Sequence, residues 1–250
     1  MTEYGHLLDA AAGLVTGALA GFLGIGGGFV IVPYLLWTQT GSGNLGNAIG
    51  AAVLCVLPIC FVSSRAHLPV ASRDSVLLAE IYRTRYYAAG AALIGSAIAM
   101  LIPDRVGSAV FGLLVALSAW GSWTGNLGYV VTKLIPWKRR QFPKLNAGIV
   151  AGMGGGLVGG GGAFLTVPYL RFARHFDIKQ AISGSAVMTL YIMGGASITA
   201  LMRSSLTPES VDVVQVAVIA AAGACGVLAG VALARWVSPN ILKRAFALYM

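Results

Sequence analysis

Long uncharged runs alternate along this chain with short, basic connections. No Asp, Glu, Lys or Arg occurs between Asp9 and Arg65, between Lys144 and Arg171, or between Lys179 and Arg203. A helix that crosses a bilayer needs about 20 mostly apolar residues, and several runs approach or exceed that length. The pattern predicts spans over 47–64, 85–102, 103–125, 180–202 and 211–234. A last apolar run, 239–250, is either a half-span or cut short.

One stretch is written twice. Residues 13–35 read GLVTGALAGFLGIGGGFVIVPYL and residues 148–170 read GIVAGMGGGLVGGGGAFLTVPYL. Each copy spaces glycines four apart, Gly13, Gly17 and Gly21 against Gly148, Gly152 and Gly156, which gives a helix one flat face for close packing. Each copy then carries a glycine cluster, Gly24 with Gly26 to Gly28 and Gly159 to Gly162, followed by a short apolar run and Pro-Tyr-Leu. A fainter echo follows, AIGAAV from Ala48 against AISGSAV from Ala181.

Glycine costs roughly 1 kcal/mol against alanine at each helical position, so the clusters predict helix breaks. The runs on either side, Leu7 to Leu23 and Phe29 to Thr38, are short for full crossings and predict a re-entrant helical hairpin in each half. Irregular backbone at membrane depth is tolerated only where it is buried in protein or lines a wet cavity. Each break is therefore a candidate site.

Loop charge sets the orientation. The connection 131–146 carries Lys133, Lys138, Arg139, Arg140 and Lys144 without an acid and is placed in the cytoplasm, as are the basic connections 65–85, 171–179 and 235–244. The stretch 203–212, with Glu209 and Asp212, falls outside. The expected fold is all-α: a polytopic protein of two inverted repeats, each a broken hairpin plus about three spans. The first repeat takes residues 1–130, a cytoplasmic linker 131–146, and the second repeat 147–250. Were the hairpins to span fully, the repeats would be parallel instead. The inverted plan is that of many secondary transporters, with sites near the midplane.

Composition agrees, with 57% hydrophobic and 10% charged residues. The net charge of +9 sits in short loops, not in a stripe interleaved with aromatics, so it reads as cytoplasmic flanks and not as a nucleic-acid surface. The start of the chain, with Glu3 and Asp9 and no basic stretch, does not read as a cleaved signal peptide. Cys55, Cys60 and Cys225 read as small buried hydrophobes. His6, His67 and His175 fall in or near the expected loops and share no metal-ligand spacing. Trp37, Trp120, Trp123, Trp137 and Trp236 mark segment ends, as interfacial anchors do.

The chemistry expected of the breaks is anion binding. A helix that starts after each cluster, at Phe29 and at Ala163, presents unpaired N–H groups and the positive end of its dipole. The absence of Cβ atoms lets a ligand approach the backbone. The candidate site comprises Gly26, Gly27, Gly28 and Phe29 from the first copy and Gly160, Gly161, Gly162, Ala163 and Phe164 from the second, with the hydroxyls of Ser183, Ser185 and Thr189. GIGGG lacks the Lys-Ser/Thr ending of a phosphate-binding loop. No nucleophile, base and orienting group converge, so no enzyme, metal or cofactor is expected. The expected partners are a small anionic substrate and membrane lipid, with monomer and homodimer both open.

The paired glycine segments ending in Pro-Tyr-Leu, with the AIG and AISGS echoes, resemble the sulfite exporter TauE/SafE family over nearly the whole chain. The match departs in two places: Gly160 and Ala163 stand where the first copy has Ile25 and Gly28, and Ala51-Ala52 replaces a usual Thr-Ser pair. The resemblance implies export of sulfite, sulfoacetate and related organosulfonates across the inner membrane. The mechanism expected from the two opposed breaks is alternating access, the halves rocking around an anion held between them, with a passive channel as the alternative. Apart from Asp212 or Asp104 at an edge, no carboxylate or histidine is expected deep in the apolar runs, which leaves export driven by membrane potential as the simplest coupling.

Overall fold

The computed structural model describes residues 3–38, 45–103, scattered positions between 105 and 116, 143–206 and 212–249. The first half holds α1 (Glu3–Leu23), α2 (Gly28–Thr38), α3 (Leu45–Ala71) and α4 (Ser75–Leu101). The second holds α5 (Pro143–Val158), α6 (Ala163–Pro168) continued by one π-helical turn (Tyr169–Ala173), α7 (Ile178–Leu206), α8 (Val213–Trp236) and α9 (Pro239–Tyr249). All these elements are helical. Helices α1, α3, α7 and α8 are each long and apolar enough to cross a membrane. Most of the expected span 103–125, and the linker up to 142, lie outside the described residues.

The expected basic loop 65–85 is far shorter than its charges suggest. Helix α3 runs past Arg65 to Ala71, and α4 starts ten residues before the expected span. Asp74 caps α4, its carboxylate accepting from the N–H groups of Val76 (2.9 Å) and Leu77 (3.1 Å). Asp212 caps α8 in the same way through Val214 and Gln215. Arg and Glu favour helix almost as well as alanine does, so charge alone did not mark a loop there.

The glycine stripes pack, but each against a helix of the other half. A Cβ on Gly13, Gly17 or Gly21 of α1 would strike the carbonyl of Ile219, Gly223 or Val227 of α8. In the second half, Gly152 and Gly156 of α5 meet the carbonyls of Ala88 and Ala92 of α4, while Gly148 sits against Thr84. Residue numbers rise together in both pairs, so α1 runs parallel to α8 and α5 parallel to α4. Backbones this close gain dispersion and weak Cα–H···O contacts that side chains would forbid.

At the centre α3 and α7 run antiparallel, with His67 beside Ser183 at one end and Cys60 and Thr189 both against Gly26 farther along. Helix α3 also lies along α8, where Ile59 fills the space beside Gly223, and α4 lies along α7, where Thr84 meets Met188 and Ser96 meets Ala196. The core between them is built of small and branched residues, including Ile31, Ile49, Ile182 and Ile192. Large apolar side chains such as Leu14, Leu101 and Leu228 face outward, as a lipid-facing surface requires. Trp37 and Trp236 are exposed near the ends of α2 and α8. Cys55 and Cys60 are buried, whereas Cys225 is exposed, contrary to its reading as a core residue.

Candidate functional site

The two breaks have the same backbone course. Gly24, Gly26 and Gly27 have positive φ, and so do Gly159, Gly161 and Gly162, their counterparts in the repeat. Three left-handed residues in four explain why the sequence is glycine there, because any other L-residue is strained in that region. The helix after the first break starts at Gly28, one residue before the expected Phe29, and the helix after the second starts at Ala163 as expected. Gly162 stands as N-cap of α6 with no side-chain cap bond.

Both short helices turn back along the helix that precedes them. Thr16 of α1 lies against Gly27, and the Ala151 carbonyl of α5 lies against Gly162. Farther out, the Tyr34 hydroxyl of α2 donates to Asp9 of α1 at 2.6 Å.

The breaks meet. A Cβ on Gly28 would strike the Gly159 carbonyl, and one on Gly160 would stand 3.0 Å from the Phe29 ring. Phe29 and Phe164 pack edge to face, 5.3 Å between centroids. Thr189 stands between the two breaks. Its methyl group faces both Gly26 and Gly161, it is 1% exposed, and its hydroxyl has no hydrogen-bond partner. Ser185 donates to the Gly24 carbonyl at 3.3 Å.

Of the residues singled out in the sequence, the glycines, Phe29, Ala163, Phe164, Ser185 and Thr189 therefore share one buried region. Ser183 lies toward the end where the basic connections gather and lines a cavity of about 220 Å³ there.

Several polar residues of this interior were missed. His67 is 5% exposed within α3, not in a loop. Its Nε2 lies 2.8 Å from the Gly21 carbonyl, a pure acceptor, so Nε2 carries the proton and Nδ1 accepts from the Ser183 hydroxyl at 3.2 Å. Two carboxylates at the edges of the apolar runs are buried as well: Asp9 is 1% and Glu80 4% exposed.

Each buried carboxylate is held by the tyrosine of a Pro-Tyr-Leu triplet. Tyr34 and the Gln215 amide donate to Asp9 Oδ1 at 2.6 and 2.9 Å. Tyr169 donates to Glu80 Oε1 at 2.6 Å, and Arg174 pairs with Oε2 at 3.2 Å. A buried carboxylate is tolerated only with such donors. The repeated tyrosine was the available signal, but its partners come from distant stretches of chain.

Four helices long and apolar enough to cross a membrane, packed around buried glycine breaks, mark a membrane protein. The chain belongs to the family whose model is described as "Sulfite exporter TauE/SafE", which it matches over residues 8–250. It is similar to two proteins of Xylella fastidiosa, both named "Probable membrane transporter protein". The relative from strain 9a5c is 29% identical, covering 78% of this chain and 73% of its own. The one from strain Temecula1 is 27% identical, covering 99% and 93%. No solved structure matches the chain.

Proposed function

We propose that the protein exports small sulfur-containing anions, sulfite or organosulfonates, from the cytoplasm by alternating access, and that the anion binds where the two glycine breaks meet. Family membership supports the substrate class. The unpartnered hydroxyl of Thr189, buried between the breaks, carries the site reading. A buried hydroxyl left without a partner costs about 1–3 kcal/mol, a cost that an incoming oxyanion would relieve. The first N–H groups of α2 and α6 supply the remaining donors.

The two halves are read as inverted repeats. Corresponding helices support this, since α1, α3 and α8 run one way while their counterparts α5, α7 and α4 run the other. The α1–α2 turn, which brings Tyr34 back level with Asp9, supports a hairpin that enters and leaves on one side. Because α1 is packed on α8 and α5 on α4, the bodies that rock each contain helices of both halves. Breaks closed over by Phe29, Phe164 and Thr189 favour a carrier above an open pore. Outward movement of each negative charge gains about 2.3 kcal/mol per 100 mV of inside-negative potential.

Thr189→Val keeps the shape of the side chain and removes its hydroxyl. In proteoliposomes loaded with labelled sulfite, counterflow should fall about tenfold, the worth of one buried hydrogen bond, while thermal stability in detergent stays level or rises. Full counterflow in this variant, with saturation unchanged, would remove the breaks as the site.

A further inference from the structure

The cavity at the basic end is an unassigned feature with a chemistry of its own. Its rim carries Arg73 from the α3–α4 turn, Lys179 from the start of α7 and Arg235 from the last turn of α8. No acid among the described residues lines it, although Asp74 and Asp177 stand in the adjoining turns. Among the described residues the basic side chains within reach of a carboxylate are His6, beside Asp9, and Arg174, beside Glu80, so none of the three rim cations is engaged by one.

The cavity floor is the His67–Ser183 hydrogen bond, and His67 is tied in turn to the Gly21 carbonyl just before the first break. Between rim and floor the wall is apolar, formed in part by Val70, Ile182 and Val231. A volume of about 220 Å³ holds several waters and exceeds what the four heavy atoms of sulfite fill.

We propose that this cavity is a capture site, separate from the glycine breaks, for a small anion carrying a short apolar stem. The three cations draw the anion in, the wall covers its stem, and the Ser183 hydroxyl turns from His67 to the anionic head. Turning Ser183 away leaves His67 held by the Gly21 carbonyl alone, at the deep end of α1 beside which the anion must pass. Ser183 and Thr189 lie on one helix, so α7 forms the track from capture site to break. The proposal rests on the transport reading, from which its test can be separated.

The test uses purified full-length protein and membrane vesicles of both orientations, with propanesulfonate and sulfite as probes. Equilibrium binding of propanesulfonate should weaken about twofold to fivefold for each of Arg73→Gln, Lys179→Gln and Arg235→Gln, the modest worth of a partly exposed charge, and should weaken further as salt rises. Arg73→Lys and Arg235→Lys should bind nearly as the parent does, which separates lost charge from lost fold. Flux should show a raised half-saturation at the basic face and a smaller change at the opposite face.

Binding indifferent to all three glutamine variants, or half-saturation shifted equally at both faces, overturns the capture site. Sulfite binding as tightly as propanesulfonate, and equally sensitive to the variants, overturns the preference for a stem. If binding follows the expected pattern but neither anion moves across the parent vesicles, the capture site stands and the transport reading falls.

Discussion

The two tyrosine clasps occupy equivalent places in the repeat and solve one problem with opposite chemistry. Glu80 and Gln215 stand at the same separation in the sequence as Gly13 and Gly148, so one position of the repeat holds a carboxylate in one half and its neutral amide in the other. In the clasp around Tyr169 the acid lies on α4 and a cation, Arg174, completes it. In the clasp around Tyr34 the acid has moved to α1 as Asp9, and the donors are neutral. Asp9 Oδ2 has no hydrogen-bond partner, and the His6 imidazole stands 3.8 Å from it. The geometry of the repeat is thus maintained by the tyrosine, while the balance of charge is free to differ at the two ends. One end is closed by an ion pair and the other by dipoles.

The sharpest way to break this comparison is to remove the acid from the ion-paired clasp. Glu80→Ala leaves Arg174 uncompensated at a site that is mostly buried, and should destabilise the protein by about 2–4 kcal/mol, seen as a lower melting temperature in detergent. The double variant Glu80→Ala with Arg174→Ala should recover part of the loss. A single variant no worse than the double would show that the pair is not a clasp at all.

Next comes a test of the breaks themselves. Gly28→Ala drives a Cβ into the Gly159 carbonyl and should cost about 1–3 kcal/mol, the usual range for overpacking, with a larger loss of flux. Ala163, the counterpart of Gly28, already carries that methyl group, so Ala163→Gly should change stability by about 1 kcal/mol at most. Equal effects at both positions would mean that the breaks do not press on each other as described.

The smallest effect is expected at the neutral clasp. Asp9→Asn retains an acceptor for Tyr34 and Gln215 and removes a buried charge that has no cation in hydrogen-bond reach, so stability should change by less than about 1 kcal/mol. A loss as large as that of Glu80→Ala would show that the two clasps are alike after all.

Glycine made much of this architecture legible. Regular spacing at Gly13, Gly17 and Gly21 declared a packing face, and adjacent glycines at 26–28 and 159–162 declared breaks, because both demands act on the residue itself. What could not be read were the choices of partner. Gly17 reveals that some backbone must come close, but nothing in residues 13–21 names Gly223, which belongs to the other half. Asp9 stands at the edge of an apolar run, where an acid usually faces water, and Glu80 falls within the expected basic connection 65–85. Their donors, Gln215 and Tyr169, are 206 and 89 residues away. His67 was misplaced for a local reason, since α3 continues through Arg65 and carries the imidazole into the interior.

The crossed pairing of α1 with α8 has a bearing on how the protein is made. When α1 leaves the ribosome, the backbone it must lie against has not been synthesised, and two hundred residues follow before Gly223 exists. Throughout that interval a ridge of glycines faces lipid without a mate. The chain enters the membrane as a set of waiting surfaces, and the arrival of α8 completes the first. Early termination anywhere before that helix should leave a product that quality-control proteases recognise, however intact its first half.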